Sequence, residues 1–134
     1  MFFENEFATI DKANYPLVKV CYLKNDPSAE EFQEYLEGLN AVSQQPHIRV
    51  MNFDDNFLYV ENKIVKMQAK WLETNAEVLR RNCLACAFYV ASLHTKQIVN
   101  RVFALQEPPY PFAVFGNIQE AERWALAHWP AEMS

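Results

Sequence analysis

Cys83-Leu84-Ala85-Cys86 has the spacing of a reactive thiol pair. Redox work by such a pair needs its first thiol at a helix N-terminus, where the dipole lowers the thiol pKa. Here the pair opens CLACAFYVA (83–91), an almost unbroken apolar run that reads as a central strand covered on both faces. Residues three apart on a regular strand point to opposite faces, and no second close Cys/His pair completes a zinc site. The pair is read as core packing.

Asp54 ends the strand-like run IRVMNFD and Asp55 follows it, while Ser92, His94 and Thr95 follow CLACAFYVA. In open parallel sheets ligands collect beyond the carboxyl ends of the strands. These residues therefore share one rim with Asn25, Asp26, Gly116 and Asn117. A His94 base paired with Asp54 or Asp55 would be hydrolase or isomerase chemistry. Ser92 lacks the glycines of a nucleophile elbow. Ser92, Thr95, Asp26 and Asn117 also have the types and positions of helix caps, which is the weightier reading.

Asn56, Phe57, Leu58 and Tyr59 continue that rim as an apolar loop without a periodic place in the core. Exposed loops of this kind mark a partner or ligand contact; folding over the sheet end is the alternative. Lys63, Lys66 and Lys70 then fall on one stripe of a helix that ends in Arg80 and Arg81. The stripe is either a solvated face or a docking surface for an acidic partner. His47 and His128 have no metal spacing and read as loop and surface positions, so no cofactor or metal is expected.

Positioning these groups requires a folded framework, and the 134 residues suit one domain. The chain is 51% hydrophobic and 14% aromatic, enough for a sizeable core. Only two glycines, Gly38 and Gly116, stand against seven prolines. That scarcity excludes the P-loop, the dinucleotide-binding glycine motif and the nucleophile elbow. Gly38 falls inside a helix, where it permits close packing; Gly116 is the one place left for a glycine-dependent backbone contact on the rim. A net charge of −5 and a pI near 5.2 argue against a general nucleic-acid binder. No apolar run reaches the ~18–20 residues of a membrane span. MFFENEF lacks the basic start of a secretory signal, and three cysteines suit a reduced cytoplasm.

Periodicity predicts the order β-β-α-β-α-β-α-β-α. Strands are expected at 7–11 and 15–23, paired antiparallel across Lys12-Ala13-Asn14, and at 48–54, 83–91 and 112–116. The first helix starts at Asp26-Pro27-Ser28, with Ser28 and Glu31 at capping-box spacing and Phe32, Tyr35, Leu36, Leu39 and Val42 on its buried face. A long helix follows over 61–81, a third over 95–106, and a fourth after Asn117. Right-handed crossovers make the later strands parallel. The expectation is an α/β domain with a four-stranded, mostly parallel sheet, an antiparallel N-terminal edge strand and four helices. An unprotected edge at Phe7–Asp11 would favour a homodimer. Phe2 and Phe3 are either a frayed tail or a dimer contact.

The ending LQEPPYPFAVFGNIQEAERWALAHW and the segment MQAKWLETNAEVLRRNCLACAFYVAS resemble small bacterial proteins of the SpoIIAA-like (STAS/SEC14-type) family. The resemblance follows the element order from about Phe7 to Trp129. It implies a βα superhelix that serves protein docking in the anti-sigma-factor antagonists and an apolar lipid pocket in SEC14-type relatives. The antagonists carry a phosphorylatable Ser after the strand matching 48–54. This chain has Asp54-Asp55-Asn56-Phe57-Leu58-Tyr59 there, so that switch does not carry over. The leading expectation is a non-enzymatic cytoplasmic regulatory module that docks a protein through 54–70. A small apolar-ligand or lipid binder is the alternative, and a His94-based enzyme a weaker one.

Overall fold

A computed structural model of the chain describes residues 2–53, 61–105 and 107–133. Its strands are β1 (Phe3–Glu4), β2 (Ala8–Asn14), β3 (Leu17–Tyr22), β4 (His47–Asn52), β5 (Cys83–Tyr89) and β6 (Phe112–Phe115). The helices are α1 (Ala29–Val42), α2 (Asn62–Thr74), α3 (Ala76–Asn82), α4 (Leu93–Leu105) and α5 (Ile118–Leu126), followed by a 3-10 turn at Ala131–Met133. The α/β class is as expected, but with six strands and five helices among the described residues rather than five and four. None of these helices is long and apolar enough to cross a membrane.

The sheet runs β1-β2-β3-β4-β5-β6, antiparallel through β3 and parallel from β3 to β6. Because the order is sequential, every crossover steps the same way. Right-handed connections then put all crossover helices on one face. The packing agrees: α1 to α4 cover the face that presents Val18, Val20, Met51, Cys86 and Phe88. The α5 helix follows the last strand and is not a crossover. It covers the other face through Ala121 and Ala125 against Ile48, Val50, Ala85 and Ala87.

Three local differences from the expected elements have simple causes. The β2–β3 turn lies at Tyr15-Pro16, whose peptide bond is cis, and β2 runs through Asn14. The expected 61–81 helix divides at Asn75, whose backbone leaves helical geometry while its side-chain amide donates to the Trp71 carbonyl at 2.9 Å. Asn competes with the backbone in this way and so ends helices. The Phe7–Asp11 edge is not open, because β1 pairs with β2 through Phe3–Ile10 and Glu4–Thr9. Phe2 and Phe3 pack against the core, which replaces the frayed-tail reading. A two-residue outer strand is itself a way of blunting an edge.

Other local signals appear as read. Ser28 caps α1, its Oγ accepting from Glu31 N at 3.0 Å while the Glu31 carboxylate accepts from Ser28 N at 2.9 Å. The predicted face of α1 is buried, and Gly38 lies against β1 and β2: a Cβ there would sit 3.0 Å from Phe3 Cγ and 3.1 Å from Ile10 Cδ1.

Candidate functional site

Along β4 the side chains alternate as a strand requires. Ile48 and Val50 face α5, while His47, Arg49 and Met51 face the helical layer. That places a guanidinium in the core: Arg49 is only 1% exposed. Its Nε–H donates to His47 Nε2 at 2.9 Å and its Nη2 donates to Ser43 Oγ at 2.6 Å. Arginine cannot accept, so His47 Nε2 is the acceptor and the ring proton sits on Nδ1, which donates to the Gln45 carbonyl at 2.9 Å. Burial, together with the neighbouring Arg49 charge, pushes the His47 pKa down to about 3, and the ring is neutral. His47 is thus fully buried on a strand, not the loop or surface residue its spacing suggested.

No carboxylate among the described residues pairs with Arg49. Partial compensation comes from Ser43, the C-cap residue of α1. A helix C-terminus carries roughly half a negative charge, which favours a cation there. The Tyr110 ring adds a cation–π contact, its centroid 5.8 Å from Arg49 Cζ. Guanidinium has five N–H donors, and two are engaged. Every fully enclosed side-chain nitrogen and oxygen among the described residues has a hydrogen-bond partner. Nη1 of Arg49 has no hydrogen-bond partner among the described residues, and Arg49 lines a cavity.

That cavity lies between the sheet and the helical layer and has a volume of about 50 Å³. One water needs at least ~10–15 Å³ and takes about 30 Å³ in the liquid, so the cavity has room for one or two. The sheet contributes Tyr22, Arg49, Met51 and Phe88, with Phe53 just past β4; α1 contributes Phe32 and Leu39. Gln68 and Trp71 come from α2, Val99 and Phe103 from α4, and Tyr110 from the proline-rich connection. Its aromatic wall is continuous: Phe53 stacks on Tyr22 at 4.9 Å and Phe88 meets Phe103 edge-on at 4.8 Å.

The cysteine pair borders this site in an unexpected way. Cys83 lies opposite His47 and Ala85 opposite Ile48, so Leu84 is an extra residue in β5. This bulge puts Cys83 and Cys86 on the same face, correcting the expectation of opposite faces. Core packing holds for both, each 0% exposed and free, with burial raising both thiols above their ordinary pKa. Tyr22, Tyr35 and Tyr110 are likewise raised, burial being the largest cause. Among the described residues, Arg49 is therefore a fixed cation surrounded by titratable groups that stay neutral.

The rim is less than its sequence suggested. Asp54, Asp55, Asn56, Phe57, Leu58 and Tyr59 lie outside the described residues. Ser92 and Gly116 do meet, in an open concavity of about 200 Å³ with Val90, Leu93 and Lys96. Its polar groups serve the helices: Ser92 Oγ accepts from Thr95 N at 3.1 Å and bonds the buried Thr95 hydroxyl at 2.9 Å. Asn117 Oδ1 accepts from Glu120 N at 3.0 Å and caps α5. His94 is exposed, and a Cβ on Gly116 would meet nothing within 4 Å, so that glycine meets no structural demand. Lys63, Lys66 and Lys70 are exposed along α2, with no ion pair among the described residues. No group of three metal-ligating side chains occurs among the described residues.

The carboxyl-end rim of a parallel sheet becomes a crevice where strand order reverses. Sequential order from β3 to β6 has no such reversal. The enclosed space instead lies under the helices, and residue reading missed Arg49, Tyr110, Gln68 and Trp71 as its walls. The available signal was Arg49 itself, a charge in the apolar stretch Ile48–Met51 where a doubly covered strand admits few. Comparison of the chain with family models, with curated proteins and with solved structures returned no match.

Proposed function

We propose that the chain is a non-enzymatic binding module whose site is the aromatic cavity between the sheet and α1, α2 and α4. The observation that carries this reading is a partly enclosed space of about 50 Å³ lined largely by aromatic side chains. Interiors are packed to the density of organic crystals, and voids larger than a water molecule are few. Binding rather than catalysis is favoured by the state of the neighbouring groups. Both His47 nitrogens are hydrogen-bonded and the Cys83 and Cys86 thiols are held protonated. The resemblance to SpoIIAA-like proteins, among whose SEC14-type relatives the fold holds an apolar pocket, points the same way. The small volume favours a compact molecule over a lipid.

Xenon, a neutral and compact probe, tests the cavity. Dissolved xenon should shift the NMR signals of Met51 and Val99 methyl groups in a saturable way. Unmoved methyls would rule the cavity out as a binding space.

A second reading, protein docking through the 54–70 region, draws on the exposed Lys63, Lys66 and Lys70 stripe without described ion pairs. Reversing all three to Glu should weaken capture of an acidic partner from lysate. Undiminished capture would place the docking surface elsewhere.

A further inference from the structure

We infer that the cavity's ligand is a short-chain monocarboxylate whose acid group binds Arg49. This rests on the cavity as the binding site and adds the chemical class of what fills it. Three features of the site select that class.

The first is charge. Arg49 is buried, permanently cationic and without a carboxylate partner among the described residues. An isolated buried ion is costly, and the natural remedy is a counter-ion. The α1 C-terminus offsets only about half of it, and the acidic groups around it among the described residues stay neutral, since burial raises Cys83, Cys86 and Tyr110. A monoanion completes the balance, whereas a dianion would overshoot it.

The second is geometry. Nε and Nη2 are held by His47 and Ser43, which fixes the guanidinium plane. The donors of Nη1 have no partner among the described residues, and Arg49 lines the cavity. A carboxylate accepts from a guanidinium through parallel N–H bonds. Gln68, which lines the cavity from α2 with no hydrogen bond among the described residues, offers a further amide donor.

The third is the rest of the wall, which is apolar: Met51, Phe53, Phe88, Val99 and Phe103. An inorganic anion would leave those surfaces without a partner. A short acid of two or three carbons suits the small volume of about 50 Å³ and places its tail against them.

Titrations with propionate, with its neutral isostere propionamide, and with nitrate test the assignment, using wild-type protein and Arg49→Met. In wild type, propionate should bind at least about tenfold more tightly than propionamide, since a hydrogen bond to a charged group is worth that much. It should also outbind nitrate and shift the Arg49 Nε–H resonance. Arg49→Met should lose the preference over propionamide while still admitting xenon. Equal binding of propionate and propionamide, no propionate binding at millimolar concentration, or propionate affinity unchanged in Arg49→Met would each overturn the carboxylate assignment. Nitrate binding as tightly as propionate would overturn the apolar-tail part of it. If xenon enters while propionate does not, the cavity stands and only the ligand class falls. Should neither bind, both fall together.

Discussion

Arg49 Nε–H donates to His47 Nε2 at 2.9 Å, two residues apart on one strand and both inside the core. The bond sets the imidazole tautomer and aims the guanidinium. It also couples the fold to pH, because protonating Nε2 would destroy the acceptor and put two cations side by side.

The sign of that coupling follows directly. His47 has a pKa of about 3 in the folded chain, against an ordinary value near 6.5 when unfolded. The unfolded chain therefore binds the proton first, and stability is full above pH ~6.5. It declines as pH falls below that value and levels off below about 3, at up to ~1.4 kcal/mol per pH unit. Between pH 6.5 and 5 wild type should lose about 1–2 kcal/mol more than His47→Gln in urea unfolding. Parallel profiles for the two proteins would mean that the histidine is already solvated.

The two glycines should behave differently. Gly38→Ala drives a Cβ to 3.0 Å from Phe3 Cγ. The helix-propensity gain of ~1 kcal/mol competes with overpacking of ~1–3 kcal/mol. A net loss near 1 kcal/mol is expected, with faster hydrogen exchange in β1 and β2. Gly116→Ala meets no atom and no positive φ. It should be neutral or stabilising by up to about 1 kcal/mol through the unfolded state.

Thiol chemistry should separate the cysteines. Cys21 is half-buried, whereas Cys83 and Cys86 are enclosed and raised in pKa. A thiol reagent should label Cys21 first, with the other two reacting only on unfolding. Fast labelling of Cys86 in native protein, read by mass spectrometry, would contradict the enclosed site.

Ser92 should prove structural. Ser92→Ala removes the acceptor for Thr95 N and the partner of a buried hydroxyl. The expected cost is about 1–2 kcal/mol of stability, with xenon and propionate binding unchanged. A variant of normal stability that fails to bind ligand would return the rim to consideration.

The elements that local chemistry controls were readable from the residues. The Ser28–Glu31 box and the Phe32, Tyr35, Leu36, Leu39 face need only neighbours three or four positions away. The Ser92 and Asn117 caps are equally local. By contrast, β1 is two residues long and has no period to detect; it exists because Phe3 pairs with Ile10. The break at Asn75 is one side-chain hydrogen bond inside an otherwise continuous helical pattern. The Leu84 bulge shows only in the pairing of β5 with β4, and it reverses the inferred direction of Cys83 relative to Cys86.

For this protein the residues alone determined that strands and helices alternate, which helical faces are apolar, and that glycine-dependent phosphate and nucleophile loops are absent. Tertiary structure decided the strand order, and the site followed from it. Alternation along β4 says that His47, Arg49 and Met51 share a face, but not which face. Sequential order places the crossover helices together on that side, so Arg49 is enclosed rather than solvated. A side chain's charge is written in its type; the cost of that charge, and the ligand it asks for, depend on what long-range packing sets around it.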